Sequence, residues 1–393
     1  MLNQHTEAGR KPSTSPQSDR AGFRPDIQAL RALAVAAVVV NHLWPTRLTG
    51  GYVGVDIFFV ISGYLISAHL VREIDRTGRI NVLGFYARRA RRLLPAAQLV
   101  LVAVVVAAFF LIPRVRWAPL VHEVIASVFY WENWSLTTEF WPNPVNFYKL
   151  TAVTHYWTLS VEEQFYLCWP FFLLLLFKLK KPWARFAGLA AVGVASLVLC
   201  VHLTTIAPGP VYFVTPIRIW EFAIGTAIAM LHQRLVLPRP VAEAASLLGL
   251  AAILGSAVFF TATTEFPGAI ALIPALGTGL FIVAGTRPGR QWHTFLTSSA
   301  PVQFLGDISY SLYLWHFPIV VLVPFALSTH QLSNATLGGI AVASLLLAFL
   351  SKRLIEDPVR RSPRLVGSTA LTFAAALAGT VVVCLTATLL LRS

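Results

Sequence analysis

Apolar blocks close to 20 residues long recur from residue 29 to residue 391, and this repetition constrains the fold more than any other feature. A helical block of that length matches the roughly 30 Å hydrocarbon core of a bilayer. The blocks fall near 29–47, 51–71, 95–112, 157–178, 184–203, 211–231, 241–261, 268–285, 301–325, 335–354 and 366–391. Their spacing predicts an all-α polytopic membrane helix bundle of about ten core spans plus an eleventh, C-terminal span. Composition agrees: 56% of residues are hydrophobic and 12% charged, against about 25% charged in soluble domains. Residues 1–25 are polar and contain Ser, Pro and Arg, so they are expected to be disordered and cytoplasmic, with no cleavable signal peptide. The body then spans 26–360, and 361–393 forms a basic linker and the last span.

The net charge of +14 raises the question of nucleic acid, but its distribution answers for the membrane. With the N-terminus in the cytoplasm, 25 Lys and Arg fall on the cytoplasmic side, 5 on the outer side, and Arg218 inside a span. That bias predicts a multi-pass plasma-membrane protein with its N-terminus inside and its C-terminus outside, touching membrane lipid and not nucleic acid. Cys168, Cys200 and Cys384 have no ligand or disulfide spacing and read as small apolar fillers. The longest outer segment, 113–156, contains VHEVIASVFYWENW, which is too short to span and is expected to form one re-entrant or interfacial helix. No internal repeat is visible, which argues against an inverted-repeat transporter.

Polar residues inside spans are costly and mark function. Arg31 and His42 are eleven residues apart, three helical turns with about 20° of drift, on one stripe about 16 Å long. From the span edges, His42, Asp56, Glu162 and Glu163 are expected at one depth, about 8 Å below the outer surface. A histidine beside carboxylates can serve as a general base. Glu162 and Glu163 point about 100° apart, so both cannot face one cavity equally. Glu162 shares a helix face with Tyr166 and with His155. Asp56 either meets a substrate or braces the turn Gly50–Gly54. His316 either joins the site or hydrogen bonds within the bundle. Trp157 and Trp315 also suit interface or packing roles, and Tyr310 joins Trp157, Asp56, Tyr166 and His316 as substrate-binding candidates.

In FYARRARRLLP, four arginines in five residues exceed what topology needs. Guanidinium forks match phosphate geometry, so this cluster reads as a mouth for a phosphorylated ligand, with Arg31 at the same membrane face. The whole then suits a long ligand with a phosphorylated head and a reactive tail.

The chain resembles the acyltransferase-3 family of integral membrane acyltransferases over about Arg24 to Arg360. The likeness is carried, in order, by RPDIQALRALAV with His42, GGYVGVDIFFVISGYLI, FYARRARRLLPA, HYWTLSVEEQFYLCWP, LGDISYSLYLWHFPI and IEDPVR. The resemblance implies an acyl-CoA donor, with acetyl-CoA the first choice, taken from the cytoplasm, and a hydroxyl acceptor on a sugar. That acceptor is a cell-envelope glycan or a glycosylated metabolite such as a macrolide. It puts the family's Arg–ten residues–His motif on Arg31 and His42, its arginine motif on Arg88, Arg89 and Arg92, and its Glu-Glu-Gln motif on Glu162, Glu163 and Gln164. Many relatives carry a soluble esterase-like domain after an eleventh span. This chain ends at Ser393, so a second transfer step is expected to be absent or done by another protein. The expected mechanism has His42, oriented by a glutamate of the 157–178 span, deprotonating the acceptor as it attacks the thioester. No serine or cysteine pairs with His42 in sequence, so direct transfer is expected over an acyl-enzyme, with no metal. A homo-oligomer is left open. The rival class is a proton-coupled transporter using the same polar groups as a relay.

Overall fold

The computed structural model describes residues 23–140, 150–231, 237–329 and 331–393. The segment expected to be disordered, 1–25, lies outside the described residues except for its last three, of which Pro25 already opens the first helix. The helices are α1 (Pro25–Leu43), α2 (Gly54–Thr77), α3 (Val82–Leu111), α4 (Trp117–Val128), α5 (Glu132–Phe140) and α6 (Trp157–Lys178). Then come α7 (Pro182–Ile206), α8 (Pro208–Val211), α9 (Ile219–Leu231), α10 (Arg239–Phe259), α11 (Leu272–Ala284) and α12 (Thr294–Thr297). The chain closes with α13 (Ala300–Asp307), α14 (Ser309–Ala326), α15 (Asn334–Ser351), α16 (Asp357–Arg361), α17 (Pro363–Gly367) and α18 (Thr369–Arg392). A π-helical turn, Lys352–Glu356, joins α15 to α16. Among the described residues there is no strand, and the fold is the all-α bundle expected.

Nine helical stretches among the described residues are long and apolar enough to cross a bilayer. The predicted spans 211–231 and 268–285 are represented by α9 and α11, each helical over only 13 residues. Pro210, Pro216 and Pro267 precede them, and a proline without an N–H delays the start of a regular helix. The predicted span 301–325 breaks at Ile308 into α13 and α14. The single helix expected within 113–156 is instead two, α4 and α5, turned at Tyr130, whose φ of 56° ends α4 locally.

At the centre lies α2, which touches α1, α6, α9 and α11. Its crossing with α9 is backbone on backbone. A side chain at Gly63 would collide with the Phe222 carbonyl, and one at Gly225 with that of Val60. On the other flank α3 packs against α14, α4 and α18. Outward faces of α7, α10, α15 and α18 are apolar and exposed, with Val198, Leu248, Phe259, Leu346, Leu377 and Leu385 among them. Uncovered apolar surface on this scale needs lipid, and the chain is a multi-pass membrane protein.

Candidate active site

Antiparallel passage puts the start of α1, the end of α2, the first turns of α3 and the end of α6 at one end of the bundle. This basic end carries Arg24, Arg72, Arg76, Arg88, Arg89, Arg92 and Lys178. From it a cavity of about 400 Å³ runs inward between α1, α2, α3, α6 and α14. Arg31, Arg72, Arg88, Arg89, Arg92 and His69 line it, together with Ser62, Glu162, Tyr166, Ser309, Tyr310 and Tyr313.

Helical phase sorts the arginines of α3. Residues 88, 89 and 92 fall within about 100° of one another, and residue 91 lies outside that arc. Arg91 accordingly turns away and donates to the Leu365 carbonyl (3.0 Å) and Thr372 Oγ1 (3.1 Å), tying α3 to the α17–α18 corner. Arg88 meets His69 Nε2 at 3.0 Å. Arg89 lies flat on Tyr166, 3.7 Å from the ring centre, and Arg31 donates to Ser309 Oγ at 2.8 Å. Arg92 lies within electrostatic reach of Arg31 and Arg89. Cations gathered around one cavity make it a site for an anion. Arg72 and His69 belong to this wall and escaped the sequence reading. Their signal was the turn spacing His69–Arg72 on the inward face of α2.

Glu162 faces the cavity and accepts a hydrogen bond from Ser62 at 2.6 Å, and Tyr166 donates to the same hydroxyl at 3.0 Å. Glu163 is off the cavity wall with a buried oxygen lacking a partner, as the 100° offset requires. Gln164 is locked to α5, receiving Trp134 Nε1 (3.1 Å) and Thr215 Oγ1 (2.6 Å) and donating to Asn133 Oδ1 (2.9 Å). Tyr310 lines the cavity and donates to the Leu93 carbonyl at 2.8 Å.

The expectation that His42, Asp56, Glu162 and Glu163 share one depth fails. Pro45 disfavours helix at Trp44, so α1 stops at Leu43 and His42 sits at its very end. Glu162 binds Ser62, nine residues into α2 and about 12 Å nearer the basic end than the start of that helix. Among the described residues no glutamate bonds His42. Its partner is another histidine: His42 Nδ1 lies 2.9 Å from His316 Nε2, the two rings stacked at 5.1 Å. His155 joins the layer, its ring 5.8 Å from His316. It lies in the 3₁₀ turn before α6 and does not continue the Glu162 face. Phe58 and Tyr313 line the cavity, and the Tyr313 ring is 5.4 Å from both His155 and His316. The histidine layer therefore packs against one residue of the cavity wall.

Two substrate-binding candidates lie off the cavity wall, held in other contacts. Asp56 is fully buried and pairs with Arg218 (3.0 Å), which also holds Glu221 (2.9 Å). A carboxylate at that depth needs its cation, and the trio bolts α2 to the start of α9. Trp157 packs among Tyr212, Phe213 and Phe59 at 4.9, 5.3 and 6.3 Å, away from the cavity. His316 is off the cavity wall too, buried against His42.

The fold is thus a helical membrane bundle with a basic-mouthed cavity and, packed against Tyr313 of its wall, a layer of three histidines. Residues 24–389 match the model of an acyltransferase domain, and the chain belongs to the acyltransferase-3 family. It is 32% identical over 352 residues to the peptidoglycan O-acetyltransferase of Listeria monocytogenes, covering 86% of this chain and 56% of that one. A putative O-acetyltransferase of Staphylococcus aureus is 34% identical over 354 residues (86% and 58%), and another O-acetyltransferase of that organism is 31% identical over 353 (86% and 57%). The chain thus spans a little over half the length of these relatives. No solved structure matches it.

Proposed function

We propose that the protein is an O-acyltransferase that moves an acyl group, acetyl in the simplest case, from acyl-CoA to a hydroxyl of a sugar. The observation that carries the reading is the arginine-lined cavity, with the histidine layer packed against Tyr313 of its wall. The CoA phosphates bind Arg88, Arg89 and Arg92 at the cytoplasmic end, with Arg31 and Arg72 on the same wall. The pantetheine arm, slim and amide-bearing, follows Ser62, Glu162, Tyr166 and Tyr310 toward Tyr313. The acceptor is an envelope glycan or a glycoside such as a macrolide. It reaches His42 from the other end, where that ring is only half-buried.

The chemistry follows from these positions. His42 takes the acceptor's hydroxyl proton as the oxygen forms its bond to the thioester carbon. The carbon–sulfur bond breaks, and the departing CoA thiolate takes the proton from the imidazolium. The products are the ester and the free thiol. Tyr313, on the cavity wall, packs against His316, the partner of His42, so the donor's thioester must pass this ring to reach His42.

His42→Ala is the direct test. Acyl transfer should fall by about 10²–10⁴-fold, the contribution of a positioned base, while acyl-CoA still raises the variant's melting temperature in detergent. Activity above about a tenth of wild type would remove His42 from the reaction. No stabilisation of wild type by acyl-CoA would remove the donor from the cavity.

A further inference from the structure

We propose that His316 fixes the tautomer of His42, so that His42 carries its proton on Nδ1 and presents a bare Nε2 to the acceptor hydroxyl. This rests on the acyltransferase reading above, but the proton assignment follows from geometry alone. His316 Nδ1 lies 2.7 Å from the Tyr313 carbonyl and 3.1 Å from that of Leu312. Carbonyl oxygens only accept, so Nδ1 must carry a hydrogen. In a neutral ring that leaves Nε2 as a lone pair, and Nε2 is the atom facing His42 Nδ1 at 2.9 Å. His42 Nδ1 is then the donor. The other arrangement would make His316 a cation. It is fully buried, and its ring neighbours are His42, His155, Tyr313 and Phe317, with no carboxylate among them.

The remaining atoms agree. His155 Nε2 lies 3.1 Å from the Leu314 carbonyl and donates to it, which sets the orientation of the third ring, and its buried Nδ1 has no partner among the described residues. His42 Nε2 has no hydrogen-bond partner among the described residues and is not among the buried polar atoms, so its lone pair is open. The 2.9 Å gap is a hydrogen-bond distance, and among the described residues no group of three or more His, Cys, Asp or Glu is placed to hold a metal ion.

The arrangement has a chemical consequence. The usual orienting partner of a catalytic histidine is an acidic group, which also stabilises the imidazolium. Here the partner is neutral. When His42 gains its proton on Nε2, its Nδ1–H strengthens its bond to a lone pair and no buried carboxylate has to be kept ionised. His316 touches neither donor nor acceptor in this scheme. It is a positioning residue, held in turn by its own helix backbone through the Tyr313 carbonyl.

Nitrogen-15 spectra of histidine-labelled protein in detergent read the tautomer without any substrate, with His42→Gln used to assign the signal. The expected wild-type spectrum has a protonated Nδ1 and a pyridine-like Nε2 on His42. A protonated Nε2 would overturn the proposal. His316→Leu removes the acceptor, and His42 should then populate both tautomers. Its kcat should fall by at least about tenfold, part of the 10²–10⁴ a positioned base supplies, with donor KM within about threefold of wild type. His316→Gln returns an acceptor oxygen near the Nε2 position and should recover most of the kcat that the leucine variant loses. A leucine variant that melts near wild type and keeps its kcat would overturn the proposal, as would a well-folded glutamine variant no better than leucine. Because the spectrum needs no donor, an inactive wild type would count against the acyltransferase reading alone.

Discussion

At the residue scale, the cations and the carboxylates divide cleanly by what they touch. Replacing Arg88, Arg89 and Arg92 with Gln should raise donor KM steeply and leave acceptor KM near wild type, since the lost contacts are to phosphate. Lys at these positions should restore only part of the affinity, and least at Arg89, because an ammonium cannot lie flat on Tyr166 as the guanidinium does. Initial rates over a donor series for the Gln and Lys sets separate these cases, and an unchanged donor KM would reduce the cluster to an anchor. Asp56 has the opposite signature. Arg218→Met strands two buried carboxylates and should cost about 3–5 kcal/mol of stability. Asp56→Asn keeps the shape and should leave both KM values alone in protein that folds, a result thermal melts and kinetics check together. That Arg31, Arg88, Arg89, Arg92 and Glu162 face one cavity was readable from residue type and helical spacing. The Asp56–Arg218 pair was not. Its members are 162 residues apart, and nothing in one sequence joins a lone aspartate to a lone arginine across two helices.

At the element scale, hydropathy located the long helices, and proline explains where it misplaced their ends. Pro45 cuts α1 four residues before the expected edge, which moved His42 out of the glutamates' layer and gave it a histidine partner. The same blindness merged α4 with α5, whose turn at Tyr130 sits inside an unbroken apolar pattern. These two helices hold a further pair that no span count reveals. Glu123, buried on α4, accepts from Thr151 (2.7 Å) and Thr154 (2.8 Å), and lies beside the buried Glu132 of α5. Burial pushes the Glu123 carboxyl up to about 7, and burial with the neighbouring Glu123 pushes Glu132 up further. A raised carboxyl favours folding while it stays protonated. Its stability contribution is full below the ordinary value of 4.5 and is lost as pH rises to about 7. Melting temperature in detergent should therefore fall between about pH 4.5 and 7. Glu123→Gln, which keeps a neutral group on the two threonines, should flatten that slope. A slope unchanged by the substitution would place the pH dependence elsewhere.

At the scale of the whole molecule, one asymmetry organises the rest. The arginines crowd one end of the bundle, and the open Nε2 of His42 lies near the last turn of α1, toward the other. The Lys and Arg count of 25 against 5 predicts that the basic end is cytoplasmic. The start of α1 at Pro25 lies at the basic end, and His42, seventeen residues on, is about 26 Å further along the axis, so in a hydrocarbon core about 30 Å thick it is expected nearer the outer surface. A base there is nearer to an outer acceptor than to a cytoplasmic one, so donor and acceptor should enter from opposite sides. Tyr313, on the cavity wall, packs against the histidine layer, and this makes the expectation sharper: an acceptor arriving through the basic mouth would have to share about 400 Å³ with the pantetheine arm and pass that ring. Proteoliposomes of known orientation separate the two routes. With acyl-CoA confined to the side of the arginines, a membrane-impermeant glycoside should be acylated when it is on the opposite side. It should stay unmodified when it shares the donor's compartment. Product formed only in the shared compartment would refute the two-sided route and require a path from the basic cavity past Tyr313 to His42, while leaving donor binding by Arg88, Arg89 and Arg92 as it stands.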